Sequence, residues 1–123
     1  MRALVVDDSS AMRAFIKRVL LNARYAVSEA GDGAHALRLL NDDQRFDVAF
    51  LDVNMPGVNG LETLAHLRTD HRFNSMRIVM ATTETERDRV AHALQNGADE
   101  YVMKPFSPES VLQKLEMLGL GHE

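Results

Sequence analysis

The chain contains no cysteine and no tryptophan, and only three of its 123 residues are proline. Without cysteine it can form neither a disulfide nor a thiolate metal site, so any metal must be held by oxygen or imidazole nitrogen. Its five histidines, His35, His66, His71, His92 and His122, have no metal-binding spacing and read as surface residues, which leaves oxygen. There is no run of lysine or arginine and the formal net charge is −4. Affinity for a phosphate backbone comes from clustered cations, so no nucleic-acid partner is expected. No stretch approaches the ~20 consecutive apolar residues of a membrane span, and Met1-Arg2 leads into a short apolar run without a signal-type hydrophobic region. A cytoplasmic protein with no membrane partner is the expectation.

What the chain does have is repetition. Four short apolar runs each end in a residue suited to phosphoryl chemistry: Asp7-Asp8 after Ala3 to Val6, Asp52 after Val48 to Leu51, Thr82 after Ile78 to Ala81, and Lys104 after Tyr101 to Met103. Between them lie helical patterns. Met12, Phe15, Ile16, Val19, Leu20 and Ala23 recur at steps of three and four behind Ser9 or Ser10 as N-cap, with Arg13, Lys17 and Arg18 on the wet side. Ala26 to Ala30 reads as a strand, Gly33 to Asn41 as a helix, and Asp47 to Asp52 as a strand buried on both faces. A loop rich in turn residues (Pro56, Gly57, Asn59, Gly60) precedes a third helix that fades near Asp70, followed by a polar connection. Thr85 to Asn96 is a charged helix ending at Gly97, Glu100 to Met103 the fifth strand, and Pro108 opens a last helix through Leu118. The hydrophobic content of 46% suffices for a single core. Five alternations of strand and helix predict one α/β domain over residues 1–123, with a parallel sheet and right-handed crossovers. The seven methionines fall mostly at core positions.

In a parallel sheet those four run ends share one edge, where open α/β sheets bind ligands. Three carboxylates then meet a hydroxyl and an ammonium. Two unit charges about 4 Å apart repel by ~4 kcal/mol at an effective dielectric of about 20, so either one acid keeps its proton or a hard divalent cation binds. With oxygen ligands only, Mg²⁺ is the natural ion. A carboxylate in such a site can act as nucleophile, giving an aspartyl phosphate, and Asp52 is the candidate because it stands alone.

The fragments Val5-Val6-Asp7-Asp8-Ser9, Leu51-Asp52-Val53-Asn54-Met55-Pro56, Asn59-Gly60, Ala81-Thr82-Thr83-Glu84, Gly97-Ala98 and Lys104-Pro105-Phe106 resemble a two-component response-regulator receiver domain, and most nearly the single-domain chemotaxis regulators. This resemblance implies a flavodoxin-like fold with strand order 2-1-3-4-5 and five flanking helices; periodicity alone does not give that order. It implies that Asp52 is phosphorylated by a histidine kinase or histidine phosphotransfer protein, with the receiver catalysing its own phosphotransfer and dephosphorylation. Asp8, Asp52 and the Asn54 carbonyl would hold Mg²⁺ directly and Asp7 through water. Lys104 would pair with the phosphoryl group, the Thr82 hydroxyl and Thr83 N–H would bind its oxygens, and a cis peptide before Pro105 would aim Lys104. Asn54 and Glu84 would tune hydrolysis to seconds or minutes.

Output is expected on a surface formed by the fourth helix, fifth strand and fifth helix. Tyr101 would fill space left by an inward-drawn Thr82, and Arg87, Val90, Leu94, Met103 and Lys114 would contact the partner. The reading is a monomeric, stand-alone receiver whose downstream target is a protein such as the flagellar motor switch. A phosphorelay intermediate, a phosphate sink or the receiver piece of a larger regulator are the alternatives. A phosphatase of similar sheet is disfavoured, since those enzymes carry an Asp-x-Asp motif and Asp7 and Asp8 are adjacent. Three positions depart from the family pattern: Arg24 where a glycine commonly ends the first helix, Thr83 where a smaller residue is usual, and Met76-Arg77 where a proline often precedes the fourth strand.

Overall fold

The short apolar runs pair side by side. In the computed structural model, which describes residues 1–42, 45–55 and 57–120, the chain forms β1 (Arg2–Val6), α1 (Ser10–Asn22), β2 (Ala26–Ala30), α2 (Gly33–Asn41), β3 (Val48–Asp52), α3 (Gly60–Arg68), β4 (Arg77–Thr82), α4 (Arg87–Gln95), β5 (Glu100–Met103) and α5 (Pro108–Met117). All strand pairs are parallel and the order is β2-β1-β3-β4-β5. Because successive strand residues point to opposite faces, each central strand feeds two cores. Ala3, Val5, Val48, Phe50, Val79 and Ala81 pack under Ile16, Val19 and Leu20 of α1 and Val111 and Leu115 of α5. Leu4, Val6, Ala49, Leu51, Ile78 and Met80 pack under α2, α3 and Ala93 of α4. This two-sided burial is why β3 is apolar almost throughout.

Local chemistry sets the boundaries. Ser9 caps α1 by accepting the Met12 N–H at 3.2 Å, and Asn59 and Glu62 form a reciprocal capping box at α3. Asp47 stays outside β3: its carboxylate accepts the Arg2 N–H at 2.7 Å, closing the amino-terminal end of the sheet. The polar connection after α3 contains a 3-10 turn, His71–Phe73, whose Phe73 ring is buried. The helix expected from Thr85 begins instead at Arg87, because Glu84–Glu86 form a 3-10 turn. Phe15, placed by periodicity on the apolar face, is 36% exposed and meets the Phe106 ring edge-on at 5.8 Å. Arg24 adopts a left-handed conformation with φ of 69°. That is the geometry for which glycine is usual at this point, and it costs an L-residue about 1 kcal/mol.

One side chain that the sequence did not single out ties the far half together. Arg68, at the end of α3, donates to the carbonyls of Gly97 (2.8 Å), Phe73 (2.9 Å) and Met76 (3.0 Å), and to Asp99 (2.9 Å). Asp99 in turn accepts the Ile78 N–H at 2.8 Å, at the start of β4. Gly97, with φ of 109°, lies so close to the Arg68 stem that a Cβ there would overlap it. Arg68→Met should strand three carbonyls and a half-buried carboxylate. The expected loss is about 3 kcal/mol of unfolding free energy, read as a lower urea midpoint with unchanged m-value.

Candidate functional site at the carboxyl edge of the sheet

Asp7 follows β1 directly. Its Oδ1 accepts the Ser9 N–H at 2.9 Å and its carbonyl accepts Arg13 Nη1 at 2.6 Å, so the start of α1 fixes this carboxylate. Arg13 is itself held by Glu29 at 3.3 Å, which also takes Lys17 at 3.1 Å. Asp52 closes β3, and Gly60 lets the first turn of α3 pack directly on it, since a Cβ there would fall on the Asp52 carbonyl oxygen. Lys104 follows β5, its N–H bonded to the Thr82 carbonyl at 2.6 Å and its peptide to Pro105 cis. The Lys104 ammonium lies 3.1 Å from Asp52 Oδ1 and 3.2 Å from Asp7 Oδ2. Both carboxylates are buried, at 4% and 1% exposure, whereas Asp8 is exposed.

Oxygens of Asp7, Asp8 and Asp52 lie within 4.8 Å of one another, a spacing at which one cation can touch all three. Burial, reinforced by the charge of Asp7, pushes the Asp52 carboxyl up to about 6, against the pull of Lys104 and the Asn54 N–H. Burial also works against the Lys104 ammonium, but the charges of Asp52 and Asp7 outweigh it and hold its pKa above the usual value. This electrostatic pattern is that of an anionic cradle short of positive charge, with only oxygen donors for a hard ion. A cavity of about 340 Å³ opens beside it, lined by Asp52, Asn54, Thr83, Thr85, Glu86, Arg89 and Lys104.

Other predicted residues are placed less directly. Thr82 ends β4 fully buried, and its hydroxyl donates to the Thr83 carbonyl at 3.2 Å rather than facing the cavity. Tyr101 is half-buried against the core under α2 and α3, with Lys114 Nζ 4.7 Å above its ring and 3.1 Å from Glu100. Leu94 is 39% exposed, and Met103 is partly exposed. Val90 does not join them: at 7% exposure it packs inward, so in this conformation it offers no partner surface. The side chains of Glu84 and Arg87, together with Pro56 and His122, lie outside the described part of the structure. Sequence reasoning missed Glu86, whose Oε1 accepts both the Thr83 N–H (3.0 Å) and the Thr83 hydroxyl (2.8 Å). The signal was present: Thr83-Glu84-Thr85-Glu86 has the spacing of a capping box.

A family model described as the response regulator receiver domain matches residues 3–116. The chain belongs to the response regulator receiver family. A chemotaxis protein CheY homolog of Campylobacter jejuni is 42% identical over 123 residues, covering 98% of this chain and 95% of the relative. Chemotaxis protein CheY1 of Helicobacter pylori is 41% identical, covering 96% of each. Among solved structures, CheY4 of Vibrio cholerae superimposes with a TM-score of 0.86 at 36% identity, over 94% of this chain and 96% of that one. A putative response regulator of Chloroflexus aurantiacus gives 0.88 at 26% identity, over 95% of each. The receiver fold and its strand order are thus those that the resemblance implied. Among the described residues, no helix of this receiver is long and apolar enough to cross a membrane.

The raised Asp52 pKa makes a stability claim. The unfolded carboxyl ionises near 3.8 and the folded one near 6. The fold therefore disfavours the ionised form, and metal-free protein loses stability as pH rises between those values, with the full loss present above them. Asp52→Asn should abolish this slope. In chelator, the variant's advantage in urea unfolding should be small at about pH 4 and reach about 3 kcal/mol at about pH 7.5.

Proposed function

We propose that this receiver is a phosphoacceptor: Asp52 takes a phosphoryl group from a histidine kinase or histidine phosphotransfer protein and passes the signal on through a protein-binding surface. The observation that carries the reading is the Lys104 ammonium held between two buried carboxylates, 3.1 Å from Asp52 and 3.2 Å from Asp7, at the mouth of an open cavity. In the transfer, an ionised Asp52 oxygen attacks phosphorus, the bond from phosphorus to the donor's imidazole nitrogen breaks, and the imidazole leaves with its electron pair. Lys104 is freed from Asp52 as that charge moves outward onto the phosphoryl oxygens, and it follows them. Asp7 keeps the ammonium anchored at the site.

The all-oxygen set of Asp8, Asp52 and the Asn54 carbonyl, with Asp7 through water, suits Mg²⁺. When bound, the ion neutralises the carboxylates and the incoming phosphoryl charge. The family resemblance gives Asn54 and Glu84 their part in the rate of hydrolysis, expected in seconds to minutes. The chemotaxis names of the relatives support a place in motility control, with a protein such as the flagellar switch downstream. Leu94, Met103, Tyr101 and Lys114 supply the surface, and Arg87 stands on the same helix.

Intact-mass spectrometry after incubation with acetyl phosphate tests the chemistry. One phosphoryl group should be gained with Mg²⁺, and none with chelator or in Asp52→Asn. No gain in folded wild type with Mg²⁺ would refute the phosphoacceptor reading. For output, Tyr101→Ala should be phosphorylated at the wild-type rate yet bind an isolated motor-switch peptide at least about tenfold more weakly, a loss of about 1.4 kcal/mol. Equal affinity would remove Tyr101 from the coupling.

A further inference from the structure

Both donors of Thr83 converge on a single oxygen, Oε1 of Glu86, with the N–H at 3.0 Å and the hydroxyl at 2.8 Å. A capping box uses its threonine differently: the hydroxyl accepts from the N–H three residues on. Here that N–H, of Glu86, bonds to the Thr83 carbonyl at 3.0 Å, and the hydroxyl donates to the carboxylate. The result is a two-donor cradle holding an anion. Glu86 lines the same cavity as Asp52 and Lys104. Its second oxygen, Oε2, is buried without a hydrogen-bond partner among the described residues, and Arg89 Nη1 lies 4.0 Å from it on a side chain that is half exposed. A carboxylate held by one oxygen, with the other dry and unsatisfied, is poised to leave.

We propose that Glu86 is an internal competitor for the phosphoryl pocket: its carboxylate occupies the Thr83 N–H that an anion on Asp52 needs, and it must be expelled toward Arg89 before that anion is fully bound. The inference rests on the phosphoacceptor reading and adds to it a residue that sets the pocket's affinity. One N–H cannot serve two acceptors at full strength, and two anions on the same wall repel. Expulsion also removes the side-chain bonds from Thr83 to Glu86 that brace the 3-10 turn Glu84–Glu86 ahead of α4, leaving only its backbone bond from Glu86 N–H to the Thr83 carbonyl. Filling the pocket and loosening the start of α4 are therefore one event, which links Asp52 to the helix bearing Leu94. Glu86 acts through Thr83 and is a positioning residue.

Beryllofluoride, a tetrahedral anion that binds carboxylates as a phosphoryl group does, tests this in the intact protein with Mg²⁺. Its affinity is read by fluorine NMR and the Thr83 amide by proton–nitrogen spectra. Glu86→Ala should bind it about tenfold more tightly than wild type, and Glu86→Gln, which keeps a weaker neutral acceptor, should fall between. In wild type the Thr83 amide resonance should move on binding from a carboxylate-bonded to an anion-bonded position. In unliganded Glu86→Ala it should already have left the first position. Should either variant fold poorly, the other carries the comparison. Affinities within twofold of wild type or weaker, with binding still abolished by Asp52→Asn, would overturn the role of Glu86 and leave the phosphoacceptor reading standing. No binding by folded wild type with Mg²⁺ would bring down both.

Discussion

The shared ammonium of Lys104 is the interaction on which the site depends. Asp7 and Asp52 are both almost fully buried, on neighbouring strands, and without a cation between them their ionised forms would not coexist. Lys104 comes from the far side of the sheet. Between β5 and β3 lies β4, so with adjacent strands about 4.8 Å apart the two strands stand roughly 10 Å apart, a gap that Lys104 and Asp52 close between them. Only a long, flexible cation rooted at the end of β5 makes that crossing, and it passes the end of β4 where the compact Thr82 sits. Strand order, strand length and the identities at three strand ends are therefore one constraint.

The balance is deliberately incomplete. Three carboxylates whose oxygens lie within 4.8 Å face one ammonium, so the cluster retains excess negative charge. Burial raises the Asp52 pKa first and the neighbouring charge of Asp7 adds to it, and that uncompensated charge is also what a divalent cation would relieve. Stability and reactivity are opposed at the same atom. In the proposed transfer the ionised form of Asp52 is the nucleophile, and the environment that makes this form unfavourable in isolation makes it receptive to neutralising partners. The rest of the molecule is built to bear this cost. Two apolar cores flank the sheet, capping boxes hold α3 and α5, and the Arg68 hub locks the loops at the opposite, amino-terminal edge.

Much of this was legible in the chain because it lay in short-range patterns. Alternating apolar runs and helical periodicity gave five strands and five helices with boundaries within a residue or two, and the motifs at the strand ends gave Asp7, Asp8, Asp52 and Lys104. What could not be read was set by contacts between distant segments. Arg68 resembles any helix-surface arginine until the carbonyls of Phe73, Met76 and Gly97 are folded around it. Val90 sits on a helix whose sequence is polar enough to look solvated throughout, and only the packed sheet shows which side faces in. Phe15 erred the other way. Its spacing matches the core stripe of α1, yet it lies at the stripe's border, where a neighbouring ring covers it only in part.

The segment after β4 shows why the last step to function resists reading in one dimension. Thr83-Glu84-Thr85-Glu86 has the spacing of a helix start, and the reason is physical: the amides at a helix start lack backbone acceptors. Anions bind at helix starts for the same reason. A glutamate three residues downstream of such an amide, and a phosphoryl oxygen arriving from Asp52, therefore answer the same unmet need. The local rule says only that an acceptor will be found; which acceptor holds the amide is decided by the charge standing across the cavity. In this structure that charge is the Asp7–Lys104–Asp52 cluster, whose ammonium lies between the two carboxylates, and Glu86 holds the Thr83 amide. On the proposed reading, adding roughly two negative charges at Asp52 would reverse the order of the two acceptors. The residue at the N-cap of α4 thus shares the Thr83 amide with whatever charge the site carries.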